Sequence, residues 1–253
     1  MSLIQQVSYI GKGSVFLKKR GSATAKRVPI GNVTELSLEV AEEEKKLADY
    51  ESTGGGTLEK VSRIDSVSGT AKTSNHDTAN LALALRGTST VNAGATITDE
   101  AHADVQLGSL VTLARLPDLT AAVTVKVGAA TIAATGNYEM TAAGVWIYPD
   151  AVAITAADDI LVSYTALPDS LLQALVASGD EYELLFVGLN EARSGKPVVV
   201  TAHRCSFSPT KGLSLIADDF GDLELAFELL SDSTISGTGL SRFMTVRMAD
   251  QAA

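Results

Sequence analysis

The sequence predicts a mainly β protein: an antiparallel β-sandwich or barrel flanked by a short α-helix, with a small inserted β module. Three observations carry that prediction. Short segments alternate apolar and polar residues at a period of two, turn residues punctuate them, and one central stretch is markedly poor in charge. The chain has 253 residues, 45% of them hydrophobic, which is enough for a sizeable core. Aromatic residues make up only 5%, so Val, Leu, Ile and Ala must fill that core.

Residues 33–40 give the cleanest early strand. Leu36, Leu38 and Val40 fall on one face, and Glu35, Ser37 and Glu39 on the other. Residues 222–230 repeat the pattern, with Leu223, Leu225, Phe227 and Leu229 inward and Glu224 and Glu228 outward. Further strands are predicted over 14–19, 182–189, 198–206, 213–217 and 242–248, and in the last Met244, Val246 and Met248 share a face. Strands this numerous, each with one polar face, suit an antiparallel sandwich or barrel. Residues 58–73 break the alternation, since Leu58, Val61, Ile64 and Val67 sit three apart. Their Ser, Thr and Val content still favours an extended strand. Two helices are predicted among the strands. Asn75-His76-Asp77 supplies cap-type residues before 78–85, and Gly87 stops that helix. Asp169-Ser170 caps a second over 171–177, which Gly179 ends.

Between Leu116 and Pro168 only six of 53 residues are charged, half the density of the remaining chain. Short strands are predicted there over 123–127, 144–148 and 160–164, and Trp146 is expected in the core. The segment reads as an inserted β module over 116–168, interrupting a host domain made of 1–115 and 169–253. The ends of such an insert must lie close together.

A long charged connection joins the strands at 33–40 and 58–73. It holds Glu42, Glu43, Glu44, Lys45, Lys46, Asp49 and Tyr50, then Gly54, Gly55 and Gly56. Glu42 and Lys46 are four apart, as are Lys45 and Asp49, so a helical turn is feasible, and the glycines supply a hinge. Long loops of this kind usually carry function. The expectation is a mobile arm that settles on a neighbouring subunit.

The charge balance is acidic, with a net charge of −10 and a pI near 4.8. Such a surface repels a phosphate backbone, which disfavours specific nucleic-acid binding but leaves room for a channel in which nucleic acid slides without sticking. A single cysteine, Cys205, permits no intrachain disulfide and reads as a small buried hydrophobe. The first residues lack the basic start and apolar run of a secretory signal, and no stretch approaches a bilayer span, so a soluble protein made in the cytoplasm is expected.

Catalytic and metal-binding patterns are missing from the sequence. His76, His102 and His203 are far apart and have no ligand spacing. The run His203-Arg204-Cys205 gives a nucleophile no orienting group. Asp219-Phe220-Gly221 matches a kinase magnesium motif in letters alone. Asp218, Asp219, Asp222 and Glu224 do not follow a calcium-loop spacing and read as an acidic turn. The basic cluster Lys18-Lys19-Arg20 with Lys26-Arg27 has no interleaved aromatics and suits an acidic neighbour. No enzymatic activity, cofactor or metal is expected.

Several stretches, taken in order, resemble the tail tube subunits of non-contractile, siphovirus-type bacteriophages. They are Gly13-Ser14-Val15-Phe16-Leu17 and Pro29-Ile30-Gly31-Asn32-Val33-Thr34-Glu35-Leu36-Ser37-Leu38, then the acidic connection into Asp49-Tyr50 and Gly54-Gly55-Gly56. Arg63-Ile64-Asp65-Ser66-Val67 and Asp77-Thr78-Ala79-Asn80-Leu81-Ala82-Leu83-Ala84-Leu85 follow. Gly195-Lys196-Pro197-Val198-Val199-Val200 and Leu213-Ser214-Leu215-Ile216-Ala217-Asp218-Asp219-Phe220 complete the set, which covers most of the chain outside the insert. The resemblance implies a virion structural protein, six subunits to a ring and rings stacked into a hollow tube. Sheets of neighbouring subunits would line a channel for the genome. It implies partners too: further copies of the chain, the tail tip and terminator proteins, and a tape measure protein and DNA that pass through the lumen without specific binding. The insert departs from the minimal pattern and is expected on the tube exterior. The alternatives are a tail terminator, which caps a tube, or a β-rich surface-binding module on the virion.

Overall fold

A computed structural model describes residues 7–51, 53–177 and 179–249. The chain divides into two compact units, one running up to Thr88 and resuming at Leu172, the other spanning Ser89–Leu171. The first stretch forms β1 (Gly11–Lys19), β2 (Val28–Pro29), β3 (Val33–Ala48), β4 (Thr57–Thr73) and helix α1 (Thr78–Ala84). Next, β5 (Thr88–Asn92) leads into β6 (Ala95–Val105), β7 (Leu110–Thr112), β8 (Thr124–Val127), β9 (Ala130–Ile132), β10 (Tyr138–Thr141), β11 (Gly144–Ile147) and β12 (Asp158–Ala166). β13 (Asp169–Gln173) pairs with β5, and β14 (Glu181–Asn190), β15 (Lys196–Phe207), β16 (Leu223–Leu229) and β17 (Met244–Met248) complete the chain. The protein is mainly β, with antiparallel sheets and one short α-helix.

The strands of the first unit form one sheet in the order β2-β1-β14-β15-β16-β4-β3, and β17 also pairs with β15. β15 is the spine of this sheet. Along one side it pairs with β14, while on the other residues 198–202 take β17 and residues 205–207 take β16. The division falls at a bulge. Tyr182 opposes Cys205 and Leu184 opposes Ala202, so His203 and Arg204 together face Glu183. The extra residue lets Ala202, Cys205 and Phe207 all turn into the core. β16 keeps strict alternation, with Leu223, Leu225, Phe227 and Leu229 buried and Glu224 and Glu228 exposed. Tyr182 and Phe227 flank Phe207 at centroid distances of 5.6 and 5.4 Å, so three of the scarce aromatics meet at one point. Gly69 on β4 makes that possible. A Cβ there would lie 2.5 Å from the Phe227 ring and 2.8 Å from Leu38.

Helix α1 starts as the sequence predicts, with the Asp77 carboxylate accepting from the Asn80 amide at 2.8 Å. Its left-handed end residue is Arg86, at φ 45°, and not Gly87. The Gly87 amide donates to the Ala82 carbonyl, and a Cβ at Gly87 would approach the Gln173 carbonyl oxygen to 2.6 Å. Two other expectations are corrected. The helix expected over 171–177 is absent. Asp169 is held by Arg115 at 2.7 and 3.0 Å and caps nothing, while residues 169–173 pair with β5 as a strand. Residues 213–217 form no strand either: Leu213 packs on the core, but Leu215 and Ile216 stand in solvent.

The second unit carries its own core under two sheets, β6-β12-β8-β9 and β10-β11-β7. Val125, Val145, Ile147, Ile154, Ile160 and Val162 have no measurable exposure. Tyr164 donates its hydroxyl to Glu100 at 2.7 Å and accepts from the Arg115 amide, so burial and then the Glu100 carboxylate push it up to about 12. Asn137 is buried and satisfied, accepting from the amides of Val152 and Ala153 and donating to two carbonyls. The module expected at 116–168 is therefore larger. Its partners begin earlier, because β6 pairs with β12 and β7 with β11. Trp146 is also corrected: between buried Val145 and Ile147 it faces outward and stays 37% exposed.

Candidate assembly surface

The connection expected to be a loop is a two-stranded ribbon. β3 and β4 stay paired from Val33↔Thr73 out to Ala48↔Thr57. Core contact ends at Val67, which is buried, and every described position from 39 to 48 and from 57 to 65 is exposed. At about 3.3 Å per residue, the part beyond the core runs roughly 25 Å. It leaves the body at a bulge, where Ala41 faces Ser66 and Glu42 faces Ile64, so Asp65 is supernumerary. Such an insertion bends a strand and sharpens its twist.

Register explains why these residues choose strand over helix. Residues directly opposite one another share a face. One face therefore carries Glu42, Glu44, Lys46 and Lys60 with Ile64, and the other Glu43, Lys45, Glu59 and Arg63 with Leu47 and Val61. Glu44 is bonded to Lys60 across the ribbon and to Lys46 at 3.2 Å, and those ammonium groups, Lys60 foremost, hold its carboxyl below the usual range. Lys45 lies 3.7 Å from Glu43. The spacing of four that makes a helical turn feasible is not used.

The tip closes through the Asp49 amide, which donates to the Gly56 carbonyl at 2.9 Å, and through the Glu51 amide on the Asp49 side chain at 2.8 Å. Gly54, Gly55 and Gly56 all have positive φ, between 68° and 144°, with open space where a Cβ would stand. The backbone angle is what calls for glycine there. Tyr50 projects from the tip at 90% exposure. The ten candidate contact residues thus occupy one continuous object: Glu42, Glu43, Glu44, Lys45 and Lys46 on a strand, Asp49, Tyr50, Gly54, Gly55 and Gly56 at its turn.

Physically the ribbon is under-supported. A two-stranded hairpin in water is marginal at best. Fixing each residue's backbone costs roughly 1–2 kcal/mol, and no sheet or helix of the described residues lies beneath this one to offset that cost. Val40, Leu47, Leu58, Val61 and Ile64 are large apolar side chains in solvent, and both ribbon edges offer unpaired main-chain groups. The arrangement is able to add strands, and to bury its apolar residues, on contact with another surface.

His76, His102 and His203 stay apart on a loop, β6 and β15. Cys205 is fully buried, and burial pushes its thiol up to about 12, too high for a thiolate nucleophile at neutral pH. The Arg204 guanidinium is taken by Glu181 at 2.5 and 2.8 Å. Among the described residues no group of three His, Cys, Asp or Glu is placed to hold a metal, and no helix is long and apolar enough to cross a membrane.

Residues 8–247 match a family described as Protein of unknown function UCP028589. The chain belongs to that family. The match takes in both compact units and the whole ribbon. None of the curated proteins matches it.

Proposed function

We propose that this chain is a structural, self-assembling subunit: the tail tube protein of a non-contractile bacteriophage, stacking as hexameric rings around a genome channel. The ribbon is the observation that carries the reading, because it spends backbone order and exposed apolar area on a part that gains support only from a second molecule. The family-like order of sequence segments supports the same reading, as do sheet edges left open at β3 and β17. A net charge of −10 suits a lumen that DNA must traverse without adhering.

The test is negative-stain electron microscopy of the purified chain across a concentration series, beside a variant in which residues 43–63 are replaced by an Asn-Gly turn. The full chain is expected to form hollow tubes or stacked rings. The shortened chain should keep its thermal unfolding midpoint and form neither. Tubes of normal appearance from the shortened chain would remove the ribbon from the proposal. A second reading is favoured by one observation, the outward ring of Trp146 beside Leu110 and Glu139 on the β10-β11-β7 face. It would make the second unit a surface-binding module on the same particle, and a Trp146→Ala variant that still assembles but loses adsorption to host cells would support it.

A further inference from the structure

Two features of the first unit complement each other in hydrophobicity and charge, and neither is used by the ribbon. The first is the irregular segment 213–222. Leu213 anchors it on the core, but Leu215, Ile216 and Phe220 point away, Ile216 at 97% exposure and Phe220 fully exposed. Asp218, Asp219 and Asp222 stand among them, and Asp218 and Asp219 have no ion pair among the described residues. Leu215, Ile216 and Phe220 fall within one short stretch among carboxylates, a composition that suits an interaction site.

The second feature is a groove of about 390 Å³ between β2, the 20–27 turn and α1. Its walls are Leu17, Pro29, Ile30, Leu83 and Tyr182, with Val28 exposed beside them. Lys19 and Lys26 line it too; Lys19 is paired with Asp180 at 2.6 Å, whereas Lys26 has no ion pair among the described residues. The one carboxylate lining the groove, Asp77, is committed to capping α1 and to the Asn75 amide. No residue of 213–222 lines the groove of its own chain.

We infer that the 213–222 segment of one copy seats Ile216 and Phe220 in this groove of a second copy, with Asp218 and Asp219 meeting Lys26. The occupant is set by complementarity: an apolar segment carrying two unpaired carboxylates suits an apolar cleft edged by the unpaired Lys26, and both halves recur on every copy. Such a contact is heterologous, so its repetition closes a ring or extends a filament. A buried aromatic at its centre is the usual energetic anchor. The inference rests on the assembly reading for the claim that copies meet at all.

The experiment uses the full chain with one added cysteine per variant, Ile216→Cys in one and Ser22→Cys in the other. Cys205 stays silent because it is buried. On mild oxidation, a covalent dimer is expected from the mixture and not from either variant alone. Sedimentation of Phe220→Asp should show self-association weakened at least about tenfold. Lys26→Asp and Asp219→Lys should each weaken it, and the double variant should regain it. Since Phe220 and Lys26 are exposed, folding is not at stake. Tubes that form without the cross-link, or a Phe220→Asp chain that associates normally, would overturn the contact of segment and groove while leaving the assembly reading intact. A chain with both cysteines that cross-links only to itself would overturn it by placing the segment on its own groove. Absence of any association would overturn both.

Discussion

The second unit and the ribbon are both antiparallel β structure, yet they are stabilised in opposite ways. In the second unit two sheets face one another across Val125, Val145, Ile147, Ile160 and Val162, and water is excluded. In the ribbon the ladder is as regular, but both faces are wet and charges sit on each. Hydrogen bonds alone do not separate a stable element from a marginal one, since net worth per bond is small. What separates them is the surface lying against the ladder. On the proposed reading, the second kind of element is completed by a surface that another copy supplies.

Substitutions break this comparison most directly. Ile160→Ala in the second unit should cost about 2–5 kcal/mol, from lost transfer energy and a residual cavity. Ile64→Ala on the ribbon should change stability by about 0.5 kcal/mol or less. Denaturant titration of the two variants measures both; equal losses would mean that the ribbon is packed in solution. Gly69→Ala tests where ribbon becomes core. Its new methyl has no room beside Phe227 and Leu38, so a loss of about 1–3 kcal/mol is expected in the same titration.

Acid sharpens the contrast further. The Asp232 carboxyl is held down to about 2, first by the Thr234 hydroxyl and amide and then by Arg20. Because the folded value is the depressed one, its contribution is intact above 3.8 and drains away as pH falls through about 2. Asp232→Asn should flatten that part of the stability–pH curve. On the ribbon, the lowering at Glu44 comes from exposed ammonium groups and should shrink as salt is raised to roughly 0.5 M, whereas that at Asp232 should persist. Carboxyl titrations followed by NMR at two ionic strengths compare them. The smallest expected effect is chemical: Cys205 should resist alkylation at pH 8 and react only on unfolding.

Much of the β architecture was legible because one-sided burial writes itself as alternation. β16 is the plain case, its four apolar residues inward and two glutamates outward. The reading failed where that rule has an exception. On the ribbon, charges on both faces erase the period of two, so residues 41–48 resemble a loop with helical spacing. Asp169 looks like a helix cap until Arg115, 54 residues away, takes its carboxylate. Low charge revealed the centre of the inserted unit, but β6 carries Asp99, Glu100 and Asp104, and composition is blind to the pairing that brings it in. Of the candidate surface, the residues were found and their shape was not. The Ala202–Cys205 spacing hid a bulge no local pattern announces.

The fork at β15 changes what a copy of this chain can be joined to. An ordinary open sheet has two ends and behaves like a link with two hooks: copies so joined make a closed loop or an endless row, one or the other. Here β14 covers one flank of the spine, while β16 and β17 divide the other between them. Ends are thereby left at β2, β3 and β17. Under the proposed ring stacking, two of these ends would close a ring and the third would be left for the ring above.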